Sequence, residues 1–415
     1  RRVTVGRDCR DHSPRLAAAL HKGLTEGGLD VIDLGTVTTP MQYFSLHHFD
    51  ADGGIQITGS HNPPEYNGLK LSIGKASMHG PEIQDLLERI QRGVMPLAPE
   101  AGRVEHQEIF EPYLAACVSH VRLGARRLKV VADAGNGTAG PFAVPVLEQL
   151  GFDVIPLFCD VDPTFPNHHP DPTVEKNLEH LKAAVKEHGA DIGLAYDGDA
   201  DRVGAVDERG GVLWGDQMMI LLSRAVLSEV PGATIVGEVK CSKTLYDDIA
   251  RHGGRGLMWK TGHSLIKAKM KETGAELAGE MSGHIFFKHR WYGFDDGIFA
   301  GLRLLEILSH TDAPLSSLLA DVPKTWSTPE LRVDCPESLK FPLVKAMIEH
   351  FKRSHEVIDV DGARVLFPDG WGLIRASNTQ PLLVLRFEAD TEARLAEIRG
   401  YVEGELAKVR ATLEG

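Results

Sequence analysis

The feature that most constrains this chain is a pattern that occurs three times. An apolar strand, a Gly-rich or polar loop, a helix and a second strand follow one another. The first copy is VTVGRD (Val3–Asp8), a helix near Ser13–Glu26 and LDVIDLG (Leu29–Gly35). The second is LKVVADAGNGTAG (Leu128–Gly140), a helix near Phe142–Leu150 and FDVIPLF (Phe152–Phe158). The third is ATIVGEVKCS (Ala233–Ser242), a helix near Thr244–Arg251 and RGLMWKTGH (Arg255–His263). Strand, helix, strand in this order reads as a parallel βαβ unit. Each copy then adds a second helical stretch and a third apolar strand. Those strands end in GGIQITGSH (Gly53–His61), DIGLAYDGDAD (Asp191–Asp201) and ELAGEMSGH (Glu276–His284). Ligands of α/β folds sit at the carboxyl ends of strands, so equivalent ends here present different polar groups.

From about Lys324 the pattern changes to short strands between two helices. These are a strand at Glu330–Val333, a helix at Phe341–Arg353, strands at Val357–Val360, Ala363–Phe367, Gly372–Ala376 and Leu382–Ala389, and a final helix at Thr391–Leu406. The expected fold is α/β: three similar α/β domains, mixed sheets with flanking helices, and a smaller α+β C-terminal domain. The expected domains are 1–106, 107–210, 211–323 and 324–415.

Composition narrows the function. Lys+Arg 45 against Asp+Glu 58 leaves a net charge of −13, which argues against nucleic acid or a membrane surface as partner. An anionic small molecule remains compatible, provided that local loops supply the cations. Cys9, Cys117, Cys159, Cys241 and Cys335 are widely spaced and form no CxxC pair. Free thiols in a reducing cytoplasm are expected rather than a disulfide framework or a zinc site. No apolar run approaches the ~20 residues of a membrane span.

The loops carry the chemistry. In TGSHNPPEYNGLK (Thr58–Lys70), Pro63 and Pro64 prevent a helix, so Ser60 and His61 are expected on an exposed turn. A serine hydroxyl beside basic groups can carry a phosphoryl group; a plain polar turn is the bland reading. The serine-hydrolase elbow G-x-S-x-G does not fit, because Gly59 directly precedes Ser60 and Asn62 stands at the last glycine position. DGDADR (Asp197–Arg202) sets carboxylates at i, i+2 and i+4. Carboxylates so close repel unless a cation lies between them, and oxygen-only ligands suit Mg²⁺. An EF-hand is disfavoured by Arg202 at the sixth position and by the preceding strand. A solvated acidic turn is the plain alternative.

GEMSGH (Gly279–His284) offers Glu280, Ser282 and His284, an acceptor, a hydroxyl and a group titrating near neutrality. Lys240, Lys260 and His263 in neighbouring segments are further possible cations. RASNTQP (Arg375–Pro381) brings Arg375, Ser377, Asn378 and Thr379 into one turn, with no acidic residue in the loop to pair with Arg375. Phosphate is the natural ligand of such a turn. ADAGNGTAG lacks the dinucleotide spacing G-x-G-x-x-G. His168 and His169 in FPNHHPDP read as parts of a structural loop rather than as metal ligands.

Together these loops resemble those of the α-D-phosphohexomutase superfamily, most closely its bacterial phosphomannomutase/phosphoglucomutase branch. The resemblance spans essentially the whole chain, including WKTGHSLIK and WYGFDDG (Trp291–Gly297). It implies four domains around one central cleft. It implies an isomerase that interconverts hexose 1-phosphate and hexose 6-phosphate of mannose or glucose. Phospho-Ser60 and a hexose 1,6-bisphosphate intermediate would carry the reaction, with glucose 1,6-bisphosphate as activator. Ser60, Asp197, Asp199 and Asp201 would hold Mg²⁺. Glu280 and Ser282 would hold sugar hydroxyls, and Arg375, Ser377, Asn378 and Thr379 the non-reacting phosphate. His61, Lys70, Arg202, Lys240, His263 and His284 would face the substrate, with His284 or Lys70 moving protons. Small-molecule hexose phosphates are the expected partners, and a monomer is the default state.

The resemblance also implies a Y-D-I-R-G stretch ahead of the first residue here, which this chain is expected to lack. The same loops would serve a Mg²⁺-dependent sugar phosphatase or phosphotransferase, or a sugar-phosphate binding protein without turnover.

Overall fold

The computed structural model describes residues 1–93, 95–378 and 380–414. Its three repeats fold into three sheets with the same central order. In the first, Gly53–Ile57, Arg2–Arg7 and Asp30–Thr36 lie side by side and parallel. In the second, Ile192–Tyr196, Lys129–Asp133 and Asp153–Leu157 do the same. In the third, Leu277–Gly279, Thr234–Glu238 and Arg255–Trp259 repeat the order.

Each third strand then turns back as an antiparallel hairpin, with Leu69–Ile73, Val203–Asp207 and Ile285–Phe287 as the return strands. These return strands make the sheets mixed, as expected. They also place the loops 58–68, 197–202 and 280–284 at one equivalent position in each domain.

Apolar periodicity accounts for the packing. Leu16, Leu20 and Leu24 of helix Ser13–Glu26 recur every fourth residue and cover Val5, Val31 and Ile57 of the first sheet. Strand Ile192–Tyr196 is buried along its whole length, which fits a central strand covered on both faces. Helix Gly297–Ser309 is apolar nearly all round and almost wholly buried. Its N-cap Asp296 accepts a hydrogen bond from the Phe299 amide at 2.9 Å.

The last domain is an antiparallel sheet under two helices. Leu382–Ala389 pairs with Gly370–Ala376 on one side and with Leu331–Asp334 and Trp326–Ser327 on the other. Ile398, Val402 and Leu406 of the closing helix pack into its core with Leu343, Met347 and Phe351.

Several boundaries differ from expectation. The second sheet continues past residue 210, because Val212–Leu213 pairs with Ala205 and Val206. The segment 208–211, at the expected boundary between the second and third domains, is therefore a hairpin turn, with Gly210 at φ 83°. Helix Glu337–Phe351 starts four residues early and carries Pro342 inside it. The final helix runs to Glu414.

By compactness the chain divides in two. One unit holds 1–236, 248–256 and 262–320; the other holds 237–247, 257–261 and 321–415. No helix among the described residues is long and apolar enough to cross a membrane.

Candidate active site

The hairpin turn 197–202 buries its acidic residues. Asp197, Asp199 and Asp201 are all 0% exposed, which rules out a solvated acidic turn. One carboxylate oxygen from each lies within 4.8 Å of the others. Ala200 sits at φ 64° in the left-handed region, which helps the tight turn aim the carboxylates inward.

Their hydrogen bonds are only partly filled. Asp197 Oδ1 accepts from the Arg202 amide at 3.1 Å. Asp199 Oδ2 accepts from Thr39 Oγ1 at 2.5 Å and Thr58 Oγ1 at 3.0 Å. Lys70 Nζ bridges Asp199 Oδ2, at 3.2 Å, and Asp201 Oδ2. Among the described residues, Asp199 Oδ1 and Asp201 Oδ1 are buried without a hydrogen-bond donor. An acceptor left so in a buried acidic trio fits a cation, because otherwise its desolvation is uncompensated. Burial, with Asp199 and Asp201 alongside, pushes the Asp197 carboxyl well above its ordinary range.

The loop 58–68 brings Ser60 to this trio. Ser60 Oγ donates to Asp197 Oδ2 at 2.9 Å and lies 3.2 Å from His61 Nδ1. Its amide donates to Thr58 Oγ1 at 2.8 Å, so Thr58 ties the serine and Asp199 together. Ser60 and His61 are half-buried rather than on a fully exposed turn, because the loop folds against the acidic turn. A side chain at Gly198 would put Cβ 2.3 Å from the Ser60 carbonyl oxygen, so only glycine admits this approach. Burial and the nearby Arg202 lower the His61 pKa to about 3, which keeps the ring neutral. Burial pulls the Lys70 pKa down, but Asp199 and Asp201 outweigh it and hold the ammonium well above its ordinary value.

The third loop adds a polar layer. Arg202 Nε donates to His284 Nε2 at 2.9 Å. The neutral ring therefore carries its proton on Nδ1, which lies 3.2 Å from Asp295 Oδ2. Asp295 also accepts from Lys267 Nζ at 3.0 Å and lies 3.6 Å from His263 Nδ1. The His263 and His284 rings stack with centroids 5.8 Å apart. Burial and then Lys267 push the His263 pKa well below its ordinary value. Glu280 is buried and accepts from the Gly262 amide at 2.6 Å. Ser282 is half-buried beside it.

Arg375, Ser377, Asn378 and Lys240 lie in the second unit. Arg375 has no acidic residue in its own loop, but it has an acidic partner outside it. Asp361, from the neighbouring hairpin, accepts from Arg375 Nε at 3.0 Å. Lys240 pairs with Glu330 at 3.0 Å and Glu238 at 3.5 Å. Lys340, 1% exposed, donates to the carbonyls of Ser377 and Gln380 at 2.7 and 3.0 Å and so shapes the turn. Asn378 is exposed, and Thr379 lies outside the described residues. Lys260 is exposed. His168 is held by Asp133 at 3.0 Å, as a structural loop requires.

The first unit thus assembles Ser60, His61, Lys70, the acidic trio, Arg202, His263, Glu280, Ser282 and His284. Thr39, Thr58, Lys267 and Asp295 were not singled out from sequence. Asp295 stands within the WYGFDDG segment already noted, whereas Thr39 has no local signal because Asp199 is 160 positions away. A hydroxyl held at an oxygen-only acidic trio, ringed by cations, is the layout of a metal-assisted phosphoryl-transfer enzyme.

Comparison with known proteins gives the class a family. All four domains of phosphoglucomutase/phosphomannomutase are matched: alpha/beta/alpha domain I over 1–94, domain II over 110–211, domain III over 214–326 and the C-terminal domain over 330–404. A phosphomannomutase/phosphoglucomutase of Pseudomonas putida is 50% identical over 413 residues, covering 99% of this chain and 89% of the relative. A phosphoglucomutase of Neisseria meningitidis is 48% identical over 401 residues, covering 96% and 87%. The crystal structure of a phosphoglucomutase/phosphomannomutase family protein from Burkholderia thailandensis superposes with a TM-score of 0.91 at 44% identity, covering 99% of this chain and 89% of that one. The chain belongs to the phosphoglucomutase/phosphomannomutase family of hexose-phosphate mutases.

Proposed function

We propose that this enzyme interconverts the 1- and 6-phosphates of both glucose and mannose, with Ser60 as the phosphate carrier. The observation that carries this reading is Ser60 Oγ held 2.9 Å from Asp197 Oδ2, beside buried carboxylate oxygens that lack donors. Asp197, Asp199 and Asp201, with an oxygen of phospho-Ser60, would hold Mg²⁺. When bound, Mg²⁺ supplies Lewis-acid stabilisation of charge on the transferring phosphoryl group.

The chain's own residues account for the rest. A hexose monophosphate hydroxyl attacks the Ser60 phosphorus. The phosphorus–Oγ bond breaks, its electron pair stays on Oγ, and the hydroxyl proton passes to a base. The resulting hexose 1,6-bisphosphate, after turning over, returns its other phosphate to Ser60. The glucose 1,6-bisphosphate activator is that intermediate supplied from outside.

Phosphoserine carries roughly −1.5 to −2 charge near neutrality, so cations must face it. Lys70 and Arg202 serve there, and both are held protonated by the acidic trio. Lys70 held so can give a proton but not take one; His284 takes one on Nε2 once Arg202 Nε, which donates to that nitrogen here, turns to the phosphate, with Asp295 beside Nδ1. His61, neutral, hydrogen-bonds the serine oxygen. Glu280 and Ser282, with His263 nearby, hold sugar hydroxyls. Lys240, Arg375, Ser377, Asn378 and Thr379 are the proposed donors for the phosphate that is not transferred.

The test is turnover of glucose 1-phosphate and mannose 1-phosphate with Mg²⁺ and catalytic glucose 1,6-bisphosphate. Both are converted by the native chain and neither by Ser60→Ala; full activity of the variant sinks the mechanism. Arg375→Ala raises KM about tenfold, the ~1.4 kcal/mol of a charge-assisted contact. An unchanged KM removes that loop from substrate binding.

A further inference from the structure

The turn that follows the first strand, residues 8–10, belongs to none of the four loops discussed so far. It nevertheless touches the serine loop directly and reaches the acidic turn through Thr138. Arg10 is 1% exposed and Asp8 2%. The guanidinium Nε donates to Asp8 Oδ2 at 3.1 Å. The rest of the fork faces the serine loop. One terminal nitrogen donates to the Ser60 and Asn62 carbonyls at 2.8 and 2.6 Å, and the other to the Pro63 carbonyl at 2.5 Å.

Asp8 completes the grip from the other side. Its carboxylate accepts from the Gly59 amide at 2.9 Å and from Ser13 Oγ at 2.5 Å. Backbone groups on either side of Ser60 are thus fixed by one ion pair. Between them Ser60 sits at φ 49°, a left-handed conformation that a serine keeps only when its surroundings impose it. Clustered carbonyls also repel one another unless a donor lies among them, and a planar fork is suited to satisfying several at once.

The same turn reaches the second domain. The Cys9 amide donates to Thr138 Oγ1 at 3.2 Å, and the Thr138 amide donates to the Gly198 carbonyl at 2.9 Å. The Phe165 ring lies with its centroid 5.3 Å from Arg10 Cζ. This gives the GNGTAG loop, which sequence left without a role, a place beside the acidic turn.

We infer that Arg10, paired with Asp8, is a positioning residue for phosphoryl transfer: it fixes the Ser60 backbone so that Oγ stays in register with the carboxylate trio. Arg10 touches neither the trio nor Ser60 Oγ; it acts through the loop backbone. In-line transfer depends on placement to within about 1 Å, and loss of that placement costs on the order of 10²-fold in rate. The inference rests on Ser60 being the phosphate carrier.

The experiment compares the native chain, Arg10→Lys and Tyr113→Phe for kcat, KM, thermal midpoint and phosphoserine content after glucose 1,6-bisphosphate. Lysine keeps a charge for Asp8 but cannot span the three carbonyls. Arg10→Lys is expected to lose roughly 30- to 100-fold in kcat with KM within about twofold, because no substrate contact is removed. Tyr113→Phe removes a buried hydroxyl that donates to Asp296 and not to the serine loop, and serves as a control for lost stability. It melts lower yet keeps its kcat.

A kcat for Arg10→Lys within about twofold of native overturns the inference, as does a loss that Tyr113→Phe matches. If Arg10→Lys does not fold, Gly59→Ala decides. Its new methyl would stand 2.4 Å from Arg10 Nε and Cζ, displacing the guanidinium without deleting it, and the same split between kcat and KM is expected. A native-like kcat there overturns the inference. A native chain that forms no phosphoserine overturns the carrier reading and this one together, so the two failures are distinguishable.

Discussion

Asp296 and the Asp197–Asp199–Asp201 trio are buried carboxylates of the same compact unit, yet their surroundings differ. Asp296 has donors on both oxygens: the Tyr113 hydroxyl at 2.9 and 3.0 Å, the Trp291 indole at 3.2 Å and the Phe299 amide at 2.9 Å. Aromatic rings close around it. Trp291 stacks on Phe299 with centroids 4.0 Å apart, and Phe44 lies parallel to it at 6.2 Å. These contacts join segments of the first three domains. In the trio, by contrast, two oxygens have no donor among the described residues, and the groups that donate to the others are Lys70, Thr39, Thr58, Ser60 and the Arg202 amide. A carboxylate with every lone pair engaged holds structure together. A carboxylate with oxygens to spare is built for a cation.

The sharpest break of this comparison is Asp199→Asn. It removes a proposed metal oxygen and is expected to lower kcat/KM by about 10³-fold or more, near 4 kcal/mol. Asp296→Asn, measured in the same assay, keeps kcat within about threefold. Equal losses in both variants would erase the distinction.

Next in size is a pH effect confined to Asp296. Burial raises its pKa from 3.8 to about 7. The folded chain then holds this proton where the unfolded chain has released it. Its contribution to stability is complete below about 3.8 and is lost as pH climbs to about 7, a span worth on the order of 4 kcal/mol at most. Urea melts across that range should show the native chain losing stability relative to Asp296→Asn. A constant difference between the two would mean that Asp296 is ionised throughout.

Metal addition sharpens the other half. Mg²⁺ at ~100 times its Kd is expected to stabilise the native chain by about 2.7 kcal/mol. The shift in thermal midpoint should vanish in Asp199→Asn and persist in Asp296→Asn; a shift that survives in Asp199→Asn places the cation elsewhere. The smallest effect is that of Tyr113→Phe. It removes the buried hydroxyl that donates to both Asp296 oxygens and should cost about 1–2 kcal/mol in chemical denaturation. No measurable loss would show that the indole and amide suffice for Asp296.

Much of this was legible in the chain because the signals are local. DGDADR shows its carboxylate spacing directly, and TGSHNPP its helix-free turn. The strand, loop and helix order was readable from apolar runs. Local signals also misled. Gly210 and Gly211 were expected to mark the boundary between the second and third domains, yet they close a hairpin of the second sheet. The helix expected from Phe341 begins at Glu337 and tolerates Pro342 five residues past its first position. The partners that complete the site left no local trace, because Thr39 meets Asp199 across 160 positions and Arg10 meets the serine loop across 50 or more. Asp361, which pairs with Arg375, stands 14 positions away on another strand end.

By itself, then, the sequence determined the threefold repeat, the chemistry of each loop and the family. Those depend on residue type and spacing within short windows. Only the tertiary structure decided which loops meet, which carboxylates are dry and which cations stay protonated. Electrostatics and hydrogen bonding act through space, and their strength is set by burial that no short window of residues contains.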